Sequence, residues 1–281
     1  MALLGGLLKG NSITYEKVES LRDLTPKRIC FNSCHSGALR KIKKNDTIGF
    51  FNVPFTESIG KIFKRETGLN FKQNRFGRYF YPIKQEDEMD AIELFIEKYK
   101  ENVFLRDNLD ISIAIAENFK NDEERTHIGH LEKEAKYDQK QESYLELKEI
   151  IKSFIENTPY YKKAKCICPV PSSDKDQTSI PVLLCDDLAN ELDIKSLSKS
   201  IYWQEEKKSL KECPLREKWT FLEEANLKVD YNFNRENVIL LDDLYQSGTT
   251  IQYIAMKLKE KGAKMVFGLT IVKSKKDTDN Q

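Results

Sequence analysis

The chain has 281 residues, enough for two domains. With 40% apolar and 32% charged residues it can bury a sizeable core, which sets it apart from disordered or collagen-like sequences. No apolar run approaches the roughly 18 residues a membrane span requires, and residues 1–8 are short for a leader and carry no basic start, so a cytoplasmic, unprocessed protein is expected. A net charge of +1 hides an asymmetry, because residues 1–83 hold 15 Lys+Arg against 6 Asp+Glu and the remainder holds 31 against 39.

In the basic front, Lys61, Lys64, Arg65, Arg75 and Arg78 are interleaved with Phe63, Phe71, Phe76, Tyr79 and Phe80. Such a pattern suits a surface that tracks a phosphate backbone and stacks bases. The plainer reading, adopted at this point, is an α+β domain whose aromatics are core and whose lysines are solvated. Residues 1–83 therefore stand as a candidate surface for a nucleic-acid or protein partner, and a homodimer is the other association considered. No membrane partner is expected. Cys30, Cys34, Cys166, Cys168, Cys185 and Cys213 give neither paired CxxC knuckles nor a secreted framework. Reduced packing thiols are expected, and no structural zinc at Cys30, Cys34 and His35.

In chain order, the pattern predicts a strand over 46–55, a helix over 56–67 ended by Gly68, and a strand over 75–83 stopped by Pro82. A helix over 86–102 gathers Met89, Ile92, Leu94, Phe95, Ile96 and Tyr99 near one face, while 110–116 fits either state. Residues 118–141 are strongly polar and read as an exposed helix, a lid or a linker. A boundary near 140 then separates an N-terminal α+β domain, 1–140, from a second domain, 141–281. There the expectations are a helix over 144–156 and a strand over 164–170 running into Pro169-Val170-Pro171-Ser172-Ser173. A helix over 180–192, a strand over 196–203 and a loop-like charged stretch over 204–218 follow. The last part has a strand over 237–241, a turn over 244–247, a helix over 248–261 and a buried strand over 265–272. Alternation of this kind implies a mostly parallel sheet flanked by helices.

The most informative run extends from Val238 to Thr250. A buried strand carries Asp242 and Asp243 to its C-terminal end, and a short turn with glycine and hydroxyls leads into a helix, which is where open α/β sheets bind ligands. Backbone N–H groups of Ser247 to Thr250 and the helix dipole make an anion pocket, to which the hydroxyls of Ser247, Thr249 and Thr250 add donors. Two carboxylates beside a phosphate need sugar hydroxyls or a divalent cation, and a phosphorylated sugar meets both demands.

This run resembles the phosphoribosyl-pyrophosphate (PRPP) signature of type I phosphoribosyltransferases, and the domain from about residue 145 to 273 is similar to ComF-like members of that family. The resemblance implies a magnesium-dependent transferase in which Asp242 and Asp243 hold the ribose hydroxyls with Mg2+ nearby. It implies that Tyr245, Gln246, Ser247, Gly248, Thr249 and Thr250 wrap the 5′-phosphate. Ser172 and Ser173 fall where the family has its pyrophosphate loop, and Lys207, Lys208 and Lys211 where it has its flexible catalytic loop, with Lys208 taken as the catalytic lysine. The Ser172-Ser173-Asp174-Lys175 run departs from the more basic loop usual in ComF-like proteins, and the cysteine-rich zinc segment that often precedes their domain is missing. A second expectation keeps the pocket and drops the reaction: a PRPP- or nucleotide-sensing module controlling the N-terminal half, as in a phage-defence assembly. A phosphate-loop NTPase or a dinucleotide-binding domain is unsupported, since neither glycine motif is present. His127 and His130 stay outside the catalytic set, and Asp186-Asp187, inside a helix and without a glycine turn, is read as structural.

Overall fold

A computed structural model describes residues 12–33, 37–44, 46–172, 179–208, 210 and 213–275. Its elements in the first half are α1 (Tyr15–Arg22), β1 (Arg28–Ile29), β2 (Ala38–Lys44), β3 (Thr47–Val53), α2 (Ile59–Thr67), β4 (Lys72–Gln73), β5 (Tyr79–Ile83), α3 (Glu86–Lys98), β6 (Val103–Leu105), β7 (Ile111–Glu117) and α4 (His127–Tyr137). The second half adds α5 (Gln141–Asn157), β8 (Cys166–Pro169), α6 (Ile180–Glu191), β9 (Lys195–Ser196), β10 (Ile201–Trp203), α7 (Leu215–Glu224), β11 (Leu227–Val229), β12 (Asn237–Tyr245), α8 (Thr249–Glu260) and β13 (Met265–Lys273).

The main sheet has seven strands in the order β1-β6-β7-β13-β12-β8-β9. β7, β13, β12, β8 and β9 run parallel, and β6 is antiparallel to β7. Period-two alternation buries both faces of the central strands, as a helix-covered parallel sheet demands. Ile239 and Leu241 join a core formed with α4, α5 and α6, while Val238 and Leu240 join one formed with α7 and α8. The mixed α/β class with a mostly parallel, helix-flanked sheet is thus as expected.

The boundary expected near residue 140 is not an edge of this sheet. β7 pairs in parallel with β13 over six register positions from Phe267↔Ile111 to Lys273↔Glu117, and one apolar core runs from Phe51 and Phe63 to Leu147 and Leu184. What the front half does hold separately is a four-stranded antiparallel sheet, β2-β3-β5-β4, with α2 and α3 on one side.

Local chemistry explains most boundaries. Gly68, at φ 76, ends α2 in the left-handed conformation, and Gln85 and Glu88 form a reciprocal cap at the start of α3. The polar stretch 118–141 contains α4, whose start is fixed by Thr126, its hydroxyl oxygen accepting the Gly129 N–H at 2.9 Å. Four expectations need correction. Residues 75–78 form the turn between β4 and β5 rather than strand, and Pro82 does not stop β5, since it and Ile83 pair with Phe50 and Gly49. Residues 196–203 are not one strand, because β9 joins the main sheet and β10 forms a ribbon with β11. The charged stretch 204–218 already contains the start of α7, whose buried Leu215, Trp219 and Leu222 give it an apolar stripe. β12 continues to Tyr245, through the first two of the four residues expected as a turn, because β13 pairs with it that far. Among the described residues, no helix is long and apolar enough to cross a membrane.

Candidate functional site

Successive strands reverse their direction of progress across the main sheet between β8 and β12, since β9 lies outside β8 and β13 lies on the other side of β12. Such a switch point leaves a crevice beyond the C-terminal strand ends. A cavity of about 800 Å³ occupies it, with Asp242 and Asp243 from β12, Val170, Pro171 and Ser172 after β8, Ser179 and Pro181 at the start of α6, Lys136 from α4, and Lys207 among its lining residues. The Pro171 carbonyl accepts the Trp203 indole N–H at 3.1 Å, which holds the segment after β8 beside the cavity.

The acid pair is electrostatically asymmetric. Asp242 accepts the Asp243 backbone N–H at 3.0 Å, and burial together with the neighbouring Asp243 charge lifts its carboxyl well above the ordinary range. Asp243 accepts a hydrogen bond from Lys136 Nζ at 2.5 Å. Burial pulls the Lys136 ammonium down, but Asp243 outweighs it and raises it overall. Lys207 sits over the Trp203 ring at 5.4 Å, and burial lowers its ammonium against the pull of Asp242 and Asp243. The cavity therefore presents two adjacent carboxylates and two lysines, and the protonation of Asp242, Lys136 and Lys207 is held away from ordinary values, a frequent property of functional sites.

The turn after the acids is built as the run suggests, but it faces elsewhere. Gly248 caps α8 at φ 75, and Ser247 Oγ lies 3.1 Å from Thr249 Oγ1. Tyr245, Gln246, Ser247 and Thr249 line a second, much smaller cleft of about 20 Å³, together with Arg22, Lys27, Arg106 and Lys273. Tyr245 is buried beneath the turn, and its hydroxyl donates to Asp107 Oδ2 at 3.1 Å. A Cβ on Gly248 would lie 2.1 Å from that hydroxyl oxygen, so the glycine is needed for this packing as well as for its backbone angle. Asp107, fully buried, also accepts the Leu109 N–H at 3.0 Å, yet burial pushes its carboxyl up to about 6. Asn108 donates from its backbone and side chain to Gln252 Oε1 of α8, at 3.0 and 2.8 Å. The β6–β7 connection thus seats the start of α8.

Of the residues singled out in the sequence, Asp242, Asp243 and Ser172 meet in the large cavity, and Tyr245, Gln246, Ser247 and Thr249 meet at the small cleft. Gly248 caps α8 and Thr250 is its second residue, and neither is among the residues lining the cavity or the cleft. Lys208 does not join either group: it pairs with Glu224 at 3.0 Å and lies over Phe221 at 4.7 Å, whereas its neighbour Lys207 faces the cavity. Ser173 and Lys211 lie outside the described residues. Lys136 was not singled out, since one lysine in a polar helix carries no pattern; its partner is 107 residues away in sequence. Asp187, set aside with Asp186, also lines the cavity and accepts the Tyr144 hydroxyl at 2.8 Å. No family model matches the chain, and no curated protein matches it.

Proposed function

We propose that the chain is a type I phosphoribosyltransferase-like protein that binds PRPP, or a nucleotide with the same ribose 5-phosphate, and transfers its phosphoribosyl group to an acceptor with release of pyrophosphate. The observation that carries this reading is the Asp242–Asp243 pair at the C-terminal end of β12, at the switch point of the sheet, beside a cavity of about 800 Å³. Adjacent carboxylates, one of them lifted by burial and by its neighbour's charge, are hard oxygen donors, which suits Mg2+. Asp242 and Asp243 would hold the ion once Lys136 releases Asp243, and the ion would neutralise charge on the departing pyrophosphate.

The remaining work falls to groups of the chain. The acids accept from ribose hydroxyls, and Lys207 and Ser172 approach the pyrophosphate from the cavity wall. The N–H groups of Ser247 to Thr250 receive the 5′-phosphate at the positive end of α8. A ligand that touches both the acids and this turn must bridge the cavity and the smaller cleft. In the reaction the bond from the anomeric carbon to the pyrophosphate oxygen breaks with its electron pair leaving on pyrophosphate, and a bond to an acceptor nucleophile replaces it. Positioning and charge neutralisation supply the acceleration.

The sensing alternative keeps the same ligand without transfer, and one observation favours it: Lys136 ties the acid pair directly to α4, from the front half of the chain. A ligand that displaces Lys136 would be reported there. Thermal-shift titration with PRPP and Mg2+ tests both readings, because a ligand at about 100 times its Kd adds roughly 2.7 kcal/mol. A shift lost in Asp242→Asn/Asp243→Asn supports the pocket; no shift in the folded wild type overturns it. Pyrophosphate release on adding candidate acceptor bases then distinguishes transfer from sensing.

A further inference from the structure

The four-stranded sheet has one face on the core and one that is unusual. Cross-strand partners share a face. Val53 and Tyr79 are paired, as are Phe51 and Tyr81, and all four pack inward against α2 and α3 or the core beneath them. The alternate positions face the other way in two rows: Arg40, Phe50 and Pro82 in one, and Ala38, Asn52, Phe80 and Lys72 in the next. The solvent face of an antiparallel sheet normally carries polar residues. Here each row carries an aromatic ring near its middle and a cation at an edge strand. Phe50 and Phe80 lie 6.3 Å apart, half-buried against each other, and belong to neither apolar core.

The surroundings are basic. Residues 38–83 hold 10 Lys+Arg against 3 Asp+Glu, and both glutamates are engaged, Glu57 by Arg106 at 2.8 Å and Glu66 by Lys98 at 2.7 Å. Between β4 and β5 the Asn74 side-chain oxygen accepts the Phe76 and Arg78 N–H groups at 2.9 and 3.0 Å. That turn presents Phe76, 73% exposed, with the Arg75 guanidinium stacked 4.7 Å above its ring. Rings flanked by cations on an open sheet fit unstacked bases joined by phosphates, whereas a stacked duplex hides its base faces.

We propose that single-stranded nucleic acid lies across the outer face of the β2-β3-β5-β4 sheet, with bases stacked on Phe50 and Phe80 and phosphates paired with Arg40 and Lys72. This inference does not rest on the phosphoribosyl reading, since the two use different surfaces and different residues. It also revises the plainer sequence reading for part of the front half: Phe63 and Phe71 are core or packed against it, whereas Phe50, Phe76 and Phe80 are not.

The test is fluorescence anisotropy of the full chain with labelled mixed-sequence oligonucleotides, as single-stranded RNA, single-stranded DNA and duplex DNA, across a salt series. Single strands of either sugar should bind more tightly than duplex, and the RNA-to-DNA ratio identifies which is preferred. Phe50→Ala and Phe80→Ala should each weaken binding about tenfold, and Phe50→Tyr/Phe80→Tyr should retain it. If the alanine variants do not fold, Arg40→Gln/Lys72→Gln serves instead, and should lower the slope of log affinity against log salt by about two. No single-strand binding at physiological salt, preference for duplex, or affinity unchanged in both the alanine and glutamine variants would overturn the proposal.

Discussion

The chain contains the dipeptide Asp-Asp twice beside the same cavity, and the two copies meet different fates. On α6, Asp186 accepts the hydroxyls of Ser196 and Ser198 at 2.5 and 2.6 Å, and Asp187 accepts the Tyr144 hydroxyl at 2.8 Å. Consecutive helical residues point in different directions, so each carboxylate finds neutral donors of its own. At the end of β12, Asp242 and Asp243 stay electrostatically coupled, and the cation on the pair is a lysine from a distant helix. The identical dipeptide is structural where the fold supplies donors to each acid separately, and a candidate ligand site where it leaves them sharing charge.

The largest expected effect concerns the turn that follows the second pair and has no counterpart after the first. Gly248→Val combines a left-handed backbone angle with a Cβ directed at the Tyr245 hydroxyl oxygen, 2.1 Å away. The two penalties together should cost about 3–5 kcal/mol, measured by chemical denaturation. A variant of wild-type stability would show that Tyr245 readily leaves its seat.

A third carboxylate sharpens the contrast, because Asp107 has neutral donors like Asp186 but is fully buried. With its folded-state value lifted to about 6, the stability it contributes is complete below its unfolded value near 4 and is lost as pH rises through about 6. Wild-type stability should fall on the order of 3 kcal/mol from this group between about pH 4 and pH 7. Asp107→Asn should remove that component, which denaturation curves at several pH values would show. An unchanged pH profile would mean that the acid is solvated in the folded protein.

The two dipeptides can also be separated directly. Asp242→Asn/Asp243→Asn should abolish the roughly 2.7 kcal/mol of stabilisation by PRPP and Mg2+ at about 100 times Kd, with little change in the ligand-free protein. Asp186→Ala should do the reverse, losing about 2 kcal/mol of stability by removing two hydroxyl bonds to a carboxylate while the ligand shift persists. Unfolding of the Asn variant would make the second pair structural as well.

How much of this could be read in advance follows from range. β12, its acids and α8 are contiguous, and strand, charge, glycine and helix occur in an order that periodicity and turn chemistry expose. The pairing of β7 with β13 joins residues more than 150 positions apart and leaves no local mark, so a chain that looks divisible near 140 shares one sheet. The same reasoning covers Lys136 and the Asp107 seat of Tyr245, both made by long-range contacts. Period two did reveal strands in the front half, but which of their faces meets the core depends on where α2 and α3 pack, and that decides that Phe51 is buried in the core and Phe80 is not.

The smallest effect tests neighbours rather than repeats. Lys207 and Lys208 are equivalent in composition, and family resemblance alone led to Lys208 as the catalytic group. In the structure Lys208 is exposed and paired with the exposed Glu224, so Lys208→Ala should change stability by less than about 0.5 kcal/mol and leave PRPP binding intact. Lys207→Ala removes a cation from the cavity and should weaken PRPP binding about tenfold while sparing the fold, since its ammonium lies over the Trp203 ring and the residue belongs to neither apolar core. Titrations of the two variants side by side decide between them. Greater loss with Lys208→Ala would mean that the segment after Trp203 rearranges on binding and brings the other lysine to the pyrophosphate.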